Sequence, residues 1–165
     1  MESITLTAAT KAEKYQELLP QIEALFQAEP LWLPNLANCV AVLKEAFNWY
    51  WLGFYLVQEE QLVLGPFQGP LACTRIPFSK GVCGAAYTTQ QTQLVPDVNQ
   101  FPGHIACSAA SQSEVVVPVF YEGKVVMVLD VDSEHLAHFD ADDVAGLEQI
   151  MALVEKYVAP SYINR

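Results

Sequence analysis

The feature that most constrains this chain is a pair of apolar runs, SEVVVPVFY (113–121) and KVVMVLDVD (124–132), separated only by Glu122-Gly123. Two β-branched runs joined by so short a glycine-containing connection form an antiparallel hairpin. A hairpin this apolar is not stable alone and needs further strands and a cover of helices. Pro118 has no N–H to give a ladder, so the first run has an edge or a bulge at that point. Side chains alternate along a strand, so Asp130 and Asp132 face the same way. Glu114 opens the facing run, and Cys107 sits just before it on the loop FPGHIAC. Three carboxylates and a cysteine in so apolar a setting describe a site that holds something positively charged beside a reactive sulfur.

The segments around the hairpin supply the partners. Tyr15, Leu18, Leu19, Ile22, Leu25 and Phe26 recur at helical spacing. Pro20 interrupts them and is expected to kink that helix or start a new one. Pro30 and Pro34 mark a break, after which Leu36, Val40, Leu43 and Phe47 define a second helix. NWYWLGFYLV and QLVLGPF then read as strands joined through Gln58-Glu59-Glu60. CTRIPF is a third short strand, GVCGAAYTTQ a small-residue helix, and QLVPDV a short edge strand. An irregular loop runs from Asn99 to Ser113. Asp140 caps a last helix, with Asp143 in its first turn and Val144, Leu147, Met151, Val154 and Val158 on one face. The chain, 1–165, therefore reads as one α+β domain, an antiparallel sheet on which N-terminal helices (about 10–47) pack.

Charge narrows the partners. Eight basic against nineteen acidic residues give a formal charge of −11, with no basic run. That disfavours nucleic acid and anionic membrane. No apolar run is long enough for a membrane helix, and the first residues lack the pattern of a secretory signal. The expected location is the cytoplasm, where thiols stay reduced.

Of the four cysteines, Cys39 lies among apolar helix neighbours and is expected to be a packed core thiol. Cys73, Cys83 and Cys107 belong to the excursion between the two hairpins or border it. A thiolate is favoured near helix N-termini and disfavoured by burial. The residues before Cys107 suit a first helical turn, whose free amides would stabilise a thiolate and bind a ligand carboxylate. The cysteine spacings lack the tight pairs of structural zinc, so no metal is expected. His104, His135 and His138 read as loop residues. A partly dry Glu114 has a raised pKa and can act as a general acid. Trp49, Tyr50, Trp51, Phe54 and Tyr55 are available either to wall a pocket or to fill the core on alternating faces.

The ordered series NWYWLGFYL, LVLGPFQGPLACTRIPF, KGVCGAA, FPGHIACSAASQSEVVVPV and KVVMVLDVDS with FDADD resembles the free methionine-(R)-sulfoxide reductases, stand-alone GAF-domain enzymes, over nearly the whole chain. Ser79 and Ser108 depart from the pattern, where Gly and Asp are expected. The resemblance implies a single GAF domain with a six-stranded antiparallel sheet flanked by helices, usually dimeric. It implies reduction of free methionine-R-sulfoxide, with Cys107 as attacking thiolate and Cys73 resolving its sulfenic acid as a disulfide. Cys83 is the family's third cysteine and a second candidate for the resolving role. Glu114, Asp130 and Asp132 would hold the sulfoxide oxygen and the ammonium, Trp51 and Tyr55 would border the methyl group, and amides near Ile105 and Ala106 would take the carboxylate. Thioredoxin would be the external reductant, with no cofactor bound. The competing readings are a non-catalytic GAF small-molecule-binding module and a thiol redox sensor.

Overall fold

Thr10 starts the first helix, α1 (Lys11–Ala28). Its hydroxyl accepts from the Glu13 amide while the Glu13 carboxylate accepts from the Thr10 amide, a reciprocal cap. The computed structural model describes residues 3–103 and 110–165. Pro20 lies inside α1 and starts no new helix there, which overturns that half of the expectation. The carbonyl that proline deprives of a donor belongs to Gln16, and both residues are solvent-exposed, so water can replace the lost bond. The second helix, α2 (Trp32–Phe47), contains Pro34 in its first turn, where an N–H has no helical partner anyway. It stops at Asn48, whose left-handed φ of 52° lets its N–H close on the Lys44 carbonyl at 2.9 Å.

The strands are β1 (Trp51–Gln58), β2 (Gln61–Gln68), β3 (Arg75–Pro77), β4 (Gln93–Val95), β5 (Ser113–Tyr121) and β6 (Lys124–Ser133). Among the described residues they form one antiparallel sheet in the order β3-β2-β1-β6-β5-β4. The excursion between β3 and β5 holds α3 (Gly81–Thr89), β4 and a 3-10 turn at Val98–Gln100. Pro118 sits as expected: β4 pairs with β5 only as far as Val116, so β5 has an open edge there, and a bulge follows between Val119 and Phe120. The closing helix, α4 (Ala141–Tyr157), is capped reciprocally by Asp140 and Asp143, and a short α5 (Ala159–Ile163) follows it with Pro160 in its first turn.

Alternation along the strands splits the interior into two cores. Leu52, Phe54, Leu56, Val115, Val117, Leu129 and Val131 face α1, α2, α4 and α5. Trp51, Tyr55, Val116 and Val128 face the other way, against Val82, Cys83 and Ala86 of α3. Each large apolar side chain so buried is worth about 1.5–3 kcal/mol. The first core is pinned where α1 meets α4. The Tyr15 hydroxyl donates to Asp143 Oδ1 at 2.9 Å, and Lys11 Nζ donates to Asp143 Oδ2 at 2.6 Å and to Asp140 Oδ2 at 2.9 Å. Gly146 admits the Tyr15 ring, which would lie 2.2 Å from any Cβ placed there. No helix among the described residues is long and apolar enough to cross a membrane.

Candidate active site

The register of the three central strands assembles the site. Trp51 pairs with Asp132, and Asp132 pairs on its other side with Glu114, so one row across β1, β6 and β5 carries an indole and two carboxylates. Two residues along, Gly53 pairs with Asp130 and Asp130 with Val116. Tyr55 lies two further along β1. Period-two alternation puts Trp51, Tyr55, Glu114, Asp130 and Asp132 on the face that carries the second core. Trp49 and Phe54 go to the helix-covered core instead, which divides the aromatic run between pocket and interior.

Helix α3 brings a thiol to the same place. Gly81 opens it with φ of +66°, and Gly84 lets it press on the Phe78 carbonyl, which would lie 2.6 Å from a Cβ at that position. Cys83 between them is thereby buried beside the strands. One ligand atom each from Cys83, Glu114 and Asp130 lies within 4.8 Å of the others, and all three residues are buried. Spacing along the chain gave no hint of this contact.

The electrostatics follow from crowding acids in a dry place. Burial, then repulsion from Asp130 and Asp132, drives the Glu114 carboxyl well above its usual range. Burial and the Asp130 charge do the same to Asp132, opposed by a hydrogen bond with Ser111. Asp130 rises less, from 3.8 to about 6: burial lifts it, while hydrogen bonds with Glu114 and Cys83 hold it down. Asp130 therefore ionises within the ordinary pH range, while its surroundings bias Glu114 toward the protonated acid. Burial, Asp130 and Glu114 together raise the Cys83 thiol well above its ordinary value. Among the described residues, Asp130 Oδ1 is buried without a hydrogen-bond partner. The ion pairs among the described residues join Lys11 to Asp140 and Asp143, and Lys156 to Glu23; none reaches this cluster.

The aromatic wall is held from several sides. Trp51 stacks on Phe67 and Tyr55 with ring centroids 5.6 and 6.0 Å away, and its Nε1 donates to the Pro70 carbonyl at 3.1 Å. Cβ atoms at Gly53 and Gly69 would approach the indole to 2.7 and 2.6 Å, so both glycines are spaces that the ring requires. The Tyr55 hydroxyl donates to the Cys73 carbonyl at 2.9 Å. Cys73 is disulfide-bonded, whereas Cys39 and Cys83 are free thiols. Cys39 is fully buried in the helix-covered core, as expected, and burial pushes its thiol up to about 12. Tyr55 thus has a tether to the Cys73 segment that its sequence neighbours do not reveal, and Ser111 is a site residue that sequence reasoning missed. His104, Ile105, Ala106 and Cys107, expected to supply the attacking sulfur and the carboxylate amides, lie outside the described residues. His135 and His138 are exposed, with His138 Nδ1 at 2.8 Å from Ser133 Oγ.

A family model described as a GAF domain matches residues 36–158. The chain belongs to the GAF-domain family, here with a sheet face built around buried carboxylates and a thiol. It is 52% identical over 155 residues to GAF domain-containing protein A of Dictyostelium discoideum, covering 93% of this chain and 98% of that protein. It is 45% identical over 150 residues to the free methionine-R-sulfoxide reductase of Escherichia coli K12, covering 90% and 91%. The crystal structure of free methionine-R-sulfoxide reductase from Neisseria meningitidis with its substrate superposes with a TM-score of 0.96, at 51% identity over the full length of both chains. Within the GAF domains, the chain belongs with the free methionine-R-sulfoxide reductases.

Proposed function

We propose that this chain reduces free L-methionine-(R)-sulfoxide to methionine. The observation that carries the reading is the convergence, on one face of the sheet, of Glu114, Asp130 and Asp132 with the fixed rings of Trp51 and Tyr55. An ionised Asp130 with an unsatisfied oxygen suits a substrate ammonium. Asp132 lies two residues along the same strand face and completes that subsite. Trp51 and Tyr55 border the S-methyl group, and amides around Ile105 and Ala106 take the carboxylate.

Cys107, as thiolate, attacks the sulfoxide sulfur while Glu114 protonates the oxygen. The S–O bond of the substrate breaks, methionine leaves with its sulfur reduced by two electrons, and the oxygen remains on Cys107 as a sulfenic acid. The thiol of Cys73 displaces that oxygen as water and closes a disulfide. The disulfide at Cys73, against a free thiol at Cys83, supports Cys73 as the resolving residue. An external dithiol of the thioredoxin kind then takes the disulfide back to two thiols. The scheme uses no flavin, nucleotide or metal. A homodimer and a cytoplasmic location accord with this reading.

The test is turnover coupled to thioredoxin, thioredoxin reductase and NADPH, with free methionine-R-sulfoxide, its S epimer and a blocked N-acetyl sulfoxide amide. Oxidation of NADPH is expected with the free R form alone, and Cys107→Ser abolishes it. Equal rates on the blocked substrate would refute the ammonium subsite. Silence on all three, with dithiothreitol also silent, would refute the activity.

A further inference from the structure

We propose that Cys83, Glu114 and Asp130 also form a binding site for a borderline-soft divalent cation, with zinc the ion that the donor set fits. The spacing of the cysteines in the sequence excludes a zinc ribbon, but it says nothing of donors brought together from a helix and two strands. Cys83 comes from the first turn of α3, Glu114 from the start of β5 and Asp130 from the end of β6. Each offers a ligand atom within 4.8 Å of the other two. Zn–S and Zn–O bonds of roughly 2.3 and 2.1 Å set donor separations of about 3.4–3.6 Å around a tetrahedral ion, so the set closes with a contraction of at most about 1.4 Å.

Two observations point to a cation rather than to an ordinary acid cluster. Asp130 is 7% exposed, and its Oδ1 has no hydrogen-bond donor among the described residues. No Lys or Arg among the described residues is paired with any member of the set. The thiol then selects among cations. Calcium and magnesium prefer all-oxygen cages, whereas a thiolate with two carboxylates favours zinc. On binding, Cys83 and Glu114 give their protons to solvent and ligate as thiolate and carboxylate. The ion would occupy the place proposed for the substrate ammonium, so zinc and substrate exclude one another. The binding itself does not depend on the catalytic reading.

The experiment is calorimetric titration of zinc into the chain in its disulfide form. That form removes Cys73 from competition and leaves Cys83 as the free thiol of the excursion among the described residues. One ion per chain is expected, with release of protons seen as a buffer-dependent heat. Cys83→Ser and Asp130→Asn each weaken it by more than the tenfold to hundredfold typical of second-shell changes. Calcium gives no heat. A titration unchanged in both variants would place zinc elsewhere, with His135 and His138 the next donors to substitute, and would overturn the proposal. So would the absence of binding by a wild-type sample that still turns over sulfoxide. Zinc bound by a sample without sulfoxide turnover would uphold the site and reject the enzymatic reading alone.

Discussion

Asp130 costs the fold stability in return for its charge. Its carboxyl titrates at about 6 when folded against 3.8 ordinarily, because burial disfavours the ion. Folding therefore takes up a proton between those values, and stability falls as pH rises through about 6. Above that window the loss is about 3 kcal/mol. Asp130→Asn is expected to raise the urea midpoint at about pH 7.5 and to lose that advantage near pH 4. An equal gain at both pH values would show that charge burial is not its source. In its proposed role the same residue gives an acid limb: kcat/KM for the free sulfoxide is expected to fall as pH drops through about 6, and Asp130→Asn to remove that limb along with most of the activity. Glu114→Gln keeps the shape but not the acid, and should lower kcat by about 10²–10⁴-fold. Near-full activity would assign the proton to another group.

Elements decide whether those residues meet. Trp51 stands where it does because Gly53 and Gly69 leave it room. Gly69 also has φ of +135°, so alanine there is strained as well as too close to the indole. Gly69→Ala is expected to raise KM for the sulfoxide and shift the near-UV circular dichroism of the indole, with the far-UV spectrum preserved. An unchanged KM would free the indole from the substrate role. On the opposite face, Gly146→Ala would drive a methyl into the Tyr15 ring and should cost about 1–3 kcal/mol in chemical denaturation without altering KM.

The same elements show what a reader of the chain can and cannot see. The shared face of Asp130 and Asp132 was legible, because strand alternation is local. So were the open edge at Pro118 and the caps at Asp140 and Asp143. That α1 runs on through Pro20 was not legible, because the exposure of Gln16 depends on how α1 docks. The contact of Cys83 with Asp130 depends on α3 folding back over the sheet, across a separation that no periodicity encodes. Ser111 was invisible for the same reason: its value lies in the carboxylate it meets.

Across the whole molecule, one sheet serves two cores of unequal depth. The helix-covered side is sealed by four helices, and the other side by α3 and the excursion. β3 and β4 are three-residue edge strands, whereas β1, β5 and β6 are long, and β1 and β6 are paired on both sides along much of their length. Hydrogen exchange is expected to be slowest in β1 and β6 and much faster across 75–77 and 93–103. Uniform protection would mean that the excursion opens only with global unfolding.

Tyr55 joins the two halves of the proposed cycle in one side chain. Its ring stacks on Trp51 on the face proposed to take the substrate, while its hydroxyl holds the backbone of Cys73, the residue proposed to regenerate the enzyme. Selectivity and turnover are therefore inherited together at this position. A lineage that reshaped the pocket through Tyr55 for a bulkier sulfoxide would disturb its own recycling in the same step. New specificities in this scaffold should arise first at the neighbours of Tyr55, and only later at Tyr55 itself.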